Sequence, residues 1–165
     1  GQLGRMSALA AARLGYRCHI LTREPDSPAE QVSYRATVVE SYDDPVALRA
    51  FAEAVDVISF EFENVSAAGL DLLASRKPVR PSPTVLRISQ DRVAEKSFLN
   101  NAGVPTAPWV AVETLAELEA AVARLGLPSV LKTTRLGYDG KGQAMLRRPE
   151  DVAPAFERQI GRAHV

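Results

Sequence analysis

The residues best equipped for chemistry lie late in the chain. Lys132 ends the apolar run Val130-Leu131-Lys132, and the loop Gly137-Tyr138-Asp139-Gly140-Lys141-Gly142-Gln143 follows, with three glycines in six residues. Together they suit the phosphates of a nucleoside triphosphate. The ammonium is a compact charge for phosphate oxygens, and glycines let backbone N–H groups come close because no Cβ stands in the way. Lysine is seldom buried without a partner, and a triphosphate would be one for Lys132. Asp139 and Lys141 can reach a second ligand beneath the loop, where Tyr138 can stack or hydrogen-bond. A glycine-rich turn that merely joins two strands has the same composition, so the loop alone leaves both readings open.

Three other places could serve such a ligand or its co-substrate. Gln2-Leu3-Gly4 opens a helical pattern, and a helix N-terminus favours a phosphate or ribose while the Gln2 amide both donates and accepts. A tight strand-to-helix turn would look the same. In Phe60-Glu61-Phe62-Glu63-Asn64-Val65, alternation puts the two phenylalanines on one face and Glu61 and Glu63 on the other. Carboxylates at the exit of a buried strand suit an amino-bearing substrate, with Glu61 nearer the sheet; a solvated edge followed by an N-cap at Asn64 or Ser66 is the alternative. In Asp91-Arg92-Val93-Ala94-Glu95-Lys96, Arg92 and Lys96 share a helix face, which spacing alone reads as surface ion pairing.

The elements that must position these groups alternate. Helical spacing covers 3–14 and Gly15 stops it; 17–22 reads as a strand, 28–34 as a short helix, 36–40 as a strand, 45–54 as a helix, 56–60 as a strand and 66–75 as a helix, with 78–81 closing the unit. Alternation of this kind needs crossovers, hence an α/β unit with a parallel sheet, here expected to lack its first strand. After Pro81-Ser82-Pro83 the rhythm changes: helices at 84–89 and 91–101, a strand at 109–112, a helix at 115–125, strands at 129–133 and 143–147 around the glycine loop, and a helix from 150 to 159. That order describes a small α+β unit whose glycine-rich hairpin can act as a flap. The domains are therefore expected at 1–81 and 82–159, with 160–165 an artefactual tail from which nothing is drawn for His164. Tyr16 and Trp109 are read as core residues.

Composition narrows the classes. The chain has 165 residues, 46% of them hydrophobic, and 20 basic residues balance 20 acidic ones, so no general field attracts nucleic acid or an anionic membrane. A single cysteine, Cys18, excludes a disulfide framework or a cysteine-rich metal site within the chain and reads as a buried structural thiol. No apolar run approaches a membrane span and no signal peptide is evident, so a cytoplasmic setting is expected.

Taken in order, Gly1 to Met6 (GQLGRM), Phe60 to Val65 (FEFENV), Gln90 to Lys96 (QDRVAEK), Gly103 to Trp109 (GVPTAPW) and Gly137 to Gln143 (GYDGKGQ) closely resemble the 5-(carboxyamino)imidazole ribonucleotide synthetases. These are the ATPase subunits of phosphoribosylaminoimidazole carboxylase, ATP-grasp enzymes of purine (IMP) biosynthesis. The likeness implies a Rossmann-like pre-ATP-grasp sheet followed by the small α+β lid part of an ATP-grasp domain. It implies a carbon-nitrogen ligase that uses ATP to activate bicarbonate as carboxyphosphate and carboxylates the exocyclic amine of 5-aminoimidazole ribonucleotide, releasing ADP and phosphate. It further implies ATP and Mg2+ as cofactors and a homodimer. The metal ligands and adenine pocket are expected downstream, so this part alone should be inactive.

By family position Arg92 and Lys132 would contact ATP phosphates, with Gly137, Tyr138, Asp139, Gly140, Lys141, Gly142 and Gln143 closing over them. Gln2, Leu3 and Glu61 would hold the aminoimidazole ribonucleotide, met from the flap by the catalytic set Tyr138, Asp139 and Lys141. Two departures stand out: Leu136 replaces a second glycine of some members, and Thr133-Thr134 replace basic residues of some relatives. Formate-dependent glycinamide ribonucleotide transformylase is the related alternative. A dinucleotide-dependent oxidoreductase, with Gly1, Gly4 and Glu24 as remains of its fingerprint, leaves Lys132 and the loop unexplained. A non-catalytic binding module is the third possibility.

Overall fold

The computed structural model describes residues 1–137 and 141–160. Two compact units divide between Arg87 and Ile88. In the first, helix α1 (Gln2–Arg13) ends where Gly15 takes φ +85° and the amides of Gly15 and Tyr16 turn back onto the carbonyls of Ala12 and Ala11. Strands β1 (His19–Thr22) and β2 (Arg35–Val38) then pair in parallel, His19 opposite Arg35 and Thr22 opposite Val38, joined through a 3-10 turn at Glu30–Val32. The short helix expected at 28–34 shrinks to that turn.

Helix α2 (Pro45–Glu53) starts cleanly because Asp44 accepts from the amides of Val46 and Ala47 and Pro45 is preset for the first turn. Ser66 caps α3 (Ala67–Ala74) through the Gly69 amide, the Ser66 alternative of the sequence reading. The strand expected at 56–60 is reduced to one parallel bridge between Ile58 and Val79, so the 78–81 segment, expected to close the unit, also supplies a pairing partner. Leu48 and Phe51 of α2, Leu70 and Leu73 of α3, and Ile58 and Val79 share one apolar core. Burying each such side chain stabilises by about 1.5–3 kcal/mol. This unit is α/β with parallel pairing, as expected from the alternation. Tyr16 is 68% exposed and Cys18 only half-buried, so neither is the core residue that its sequence neighbourhood suggested.

Helix α4 (Pro83–Ser89) spans the division, and α5 (Arg92–Asn101) follows with Asp91 as its cap. No strand forms at 109–112. Side chains tie that segment to the end of α5 instead: the Trp109 indole donates to Asn100 Oδ1 at 3.0 Å, and the Asn100 amide donates to the Val104 carbonyl and Thr106 Oγ1. Helix α6 (Leu115–Leu125) begins with a reciprocal capping box between Thr114 and Glu117, and the amides of Glu113 and Thr114, which donate to the Glu117 carboxylate, hold that carboxyl below its ordinary pKa. Strands β3 (Ser129–Lys132) and β4 (Gln143–Leu146) form the expected antiparallel hairpin, Ser129 opposite Leu146 and Lys132 opposite Gln143. A 3-10 turn at Pro149–Asp151 leads into α7 (Val152–Ile160), and Leu118, Leu131, Leu146, Val152 and Ala155 make the second core. Among the described residues no helix is long and apolar enough to cross a membrane.

Candidate functional site

The pleat of the hairpin decides where Lys132 goes. Leu131 and Leu146 face the second core, so Lys132 and its cross-strand partner Gln143 stand on the other face, both exposed. Lys132 is therefore not the buried lysine that its apolar neighbours suggested. An ammonium and an amide side by side at the open end of a hairpin remain a suitable pair of donors for phosphate oxygens.

The stem of the loop is narrower than glycine content alone would suggest. The Thr133 amide donates to the Gly142 carbonyl at 2.8 Å, extending the ladder one residue beyond Lys132. A Cβ on Gly137 would lie 2.8 Å from the Lys141 carbonyl oxygen, and one on Gly142 would lie 2.6 Å from Thr133 Oγ1. Gly142 also sits at φ +64°, in the left-handed region. These two glycines are thus required by the packing of the stem, a second reason beside the close approach of a ligand. Leu136, the residue that replaces a glycine of some relatives, takes φ +61° and is 73% exposed.

Among the described residues Arg92 does not join the surface ion pair that its spacing suggested. It is the first residue of α5, and its guanidinium donates to the carbonyls of Thr133 (3.0 Å) and Gly137, while its own amide donates to the Thr134 carbonyl at 2.9 Å. Asp91 is spent on capping α5 through the amides of Val93 and Ala94. Arg135 adds a bond to Gln90 Oε1 at 3.0 Å. Lys132, Gly137, Lys141, Gly142, Gln143 and Arg92 are accordingly gathered within one unit. Tyr138, Asp139 and Gly140 lie outside the described residues.

In the first unit, Gln2 and Leu3 occupy the first two positions of α1, both exposed, Leu3 by 61%. Glu61 reaches the same turn: a Cβ on Gly4 would lie 3.1 Å from Glu61 Oε1. The structure therefore puts the Glu61 carboxylate beside the first turn of α1, at Gly4. The strict alternation expected through 60–63 fails after Phe60, which packs on the core while Phe62 is 50% exposed, because no strand continues there to enforce it.

The residue that sequence reasoning undervalued is Thr133, read only as a missing basic side chain. Its buried hydroxyl has no hydrogen-bond partner among the described residues and lies between Gly137 and Gly142. Its place beside a glycine loop was visible; its contact with both ends of that loop was not. Among the described residues no group of three or more His, Cys, Asp or Glu side chains could hold a metal ion.

Comparison with known proteins finds a ribonucleotide synthetase preATP-grasp domain over residues 1–90 and an ATP-grasp domain over 97–164. The N5-carboxyaminoimidazole ribonucleotide synthase of Brucella melitensis biotype 1 is 53% identical over 146 residues, covering 88% of this chain and 40% of that protein. A crystal structure of N5-carboxyaminoimidazole ribonucleotide synthetase in complex with ADP matches with a TM-score of 0.91 at 41% identity, over 99% of this chain and 43% of that one. The Aspergillus clavatus N5-carboxyaminoimidazole synthase, in complex with ADP and 5-aminoimidazole ribonucleotide, matches with a TM-score of 0.81 at 29% identity, over 96% of this chain and 42% of that one. The chain spans less than half the length of curated relatives it matches, 40% in the Brucella protein.

Proposed function

Since the chain belongs to the ribonucleotide synthetase preATP-grasp family, we propose that its complete protein carboxylates 5-aminoimidazole ribonucleotide with bicarbonate at the expense of ATP. The product is 5-(carboxyamino)imidazole ribonucleotide, with ADP and phosphate released, a step of purine biosynthesis. The gathering of Lys132, Gln143 and the Gly137–Gly142 stem at the end of one hairpin carries the reading, supported by relatives that bind ADP and, in one case, the aminoimidazole ribonucleotide.

In this reading Arg92, Lys132 and Gln143 hold the polyphosphate, whose charge Mg2+ would offset. Phosphoryl transfer asks chiefly for positioning and charge stabilisation, which an ammonium and backbone amides can supply. A bicarbonate oxygen attacks the γ-phosphorus and ADP leaves. The exocyclic amine of the ribonucleotide then attacks the carbonyl carbon of carboxyphosphate, phosphate leaves, and the amine gives up a proton. Tyr138, Asp139 and Lys141 form the catalytic set on the flap, which excludes water from the short-lived mixed anhydride. Gln2, Leu3 and Glu61 bind the aminoimidazole ribonucleotide. The enzyme is cytoplasmic and a homodimer.

The test uses the complete gene product. ATP hydrolysis should require both aminoimidazole ribonucleotide and bicarbonate, and Lys132→Ala should abolish it. Undiminished turnover of that variant, or dependence on glycinamide ribonucleotide and formate, refutes the assignment.

A further inference from the structure

Gly4 leaves a notch in the first turn of α1. The space that a Cβ would fill there is bordered by Glu61 Oε1 at 3.1 Å and by the Ala29 Cβ at 3.3 Å, so the carboxylate and the alanine share one gap. Glu61 is exposed, and an exposed side chain with several free rotors keeps one place only where its surroundings are fixed. Ala29, buried at 2% exposure, is a wall of that kind. What keeps the wall in place is a set of side-chain bonds across residues 26–31.

The set begins at Arg5, one residue past the notch. Its Nη1 donates to the Pro28 carbonyl at 3.3 Å and to Gln31 Oε1 at 2.9 Å. The Gln31 amide nitrogen in turn donates to the carbonyl and to Oδ1 of Asp26, each at 3.2 Å. Gln31 therefore accepts on one side and donates on the other, which uses both ends of its amide. Asp26 sits at φ +54°, a conformation that costs most side chains, and the two bonds from Gln31 hold it there. Between them, the Ser27 amide donates to Glu30 Oε2 and the Glu30 amide to Ser27 Oγ, both at 3.4 Å. Among the described residues no carboxylate pairs with Arg5, so these neutral acceptors are what its guanidinium serves.

We propose that Arg5 and Gln31 are positioning residues for the aminoimidazole ribonucleotide: they hold residues 26–31 so that Ala29 keeps the Glu61 carboxylate in its notch at the start of α1. The proposal rests on the reading of Glu61 as a ribonucleotide-binding residue given above. Neither side chain needs to touch the substrate. The bond from Arg5 to Gln31 spans 26 residues of chain, so only the fold sets it up.

In the complete gene product, the KM for aminoimidazole ribonucleotide and the KM for ATP are measured for Arg5→Met, Gln31→Leu and the double variant. Methionine keeps an apolar stem, and Gln31 is exposed, so neither change opens a core. Each single variant should raise the ribonucleotide KM about three- to tenfold, the worth of one lost hydrogen bond, and leave the ATP KM within about twofold. The double variant should be no worse than the poorer single one, because both changes break the same relay. An unchanged ribonucleotide KM in Gln31→Leu overturns the relay, and impairment by Arg5→Met alone would then mark a direct contact of Arg5 with substrate. Effects that multiply in the double variant, or an equal rise in the ATP KM, overturn it as well. A failure of the activity reading shows separately, as ATP hydrolysis by the unaltered protein that does not respond to the ribonucleotide.

Discussion

Replacing Gly142 by alanine tests whether the loop's glycines serve the stem as well as a ligand. Gly142 is at φ +64°, and the left-handed region costs a residue with a side chain about 1–2 kcal/mol. The added Cβ would meet Thr133 Oγ1 at 2.6 Å and Thr133 Cγ2 at 3.4 Å. Overpacking of this kind costs about 1–3 kcal/mol, offset by about 0.4–1 kcal/mol because alanine restricts the unfolded chain. The net expectation is a loss of about 1–5 kcal/mol.

Urea unfolding followed by the fluorescence of Trp109 measures it, since this is the chain's single tryptophan and lies in the same unit as the hairpin. A Thr133→Ala background separates the two causes. There the steric part disappears and the backbone part stays, so Gly142→Ala should cost only about 1 kcal/mol, leaving a coupling between the two sites. A Gly142→Ala variant as stable as the parent refutes the packing account. Equal losses in both backgrounds would leave backbone conformation as the whole cause and remove Thr133 from it.

Other expectations follow from single groups. Leu136 holds φ +61°, so Leu136→Val, whose branched Cβ fits that region worse, should destabilise by about 1 kcal/mol in the same unfolding experiment, while Leu136→Gly should be at least as stable as the parent; equal stability of the valine variant counts against the strain. Asp91→Ala removes the cap that accepts from Val93 and Ala94 and should cost about 0.5–2 kcal/mol, a figure that urea midpoints would contradict if unchanged. His19 has its pKa lowered, first by burial and then by the charge of Arg35; its Nδ1 is buried without a partner among the described residues while Nε2 meets Thr37 Oγ1 at 2.8 Å. Protonation therefore favours the unfolded chain. Its contribution is complete above the unfolded value of about 6.5 and is lost as pH falls from there through the folded value. Stability should decline over that window in the parent and less steeply in His19→Gln; identical pH profiles would exclude His19 as the cause.

What the sequence determined by itself is what depends on neighbours along the chain. The 3.6-residue spacing of α1 with Gly15 behind it, Asp44 and Asp91 ahead of their helices, and the Thr114 and Glu117 pair all act over four residues or fewer, so helix positions were legible to within a residue or two. The ordered motifs were legible too, and with them the α/β class and the family. Tertiary structure decided what depends on partners far away. Ile58 pairs only because Val79 comes alongside, and residues 109–112 form no strand although the Trp109 indole is tied to Asn100. Lys132 faces outward because Leu131 and Leu146 claim the core side of a two-residue pleat, and Arg92 turns from ion pairing to the loop because folding carries Thr133 and Gly137 to it. A backbone carbonyl carries no side-chain signature, so a bond that ends on one is invisible in a sequence until the fold supplies the distance.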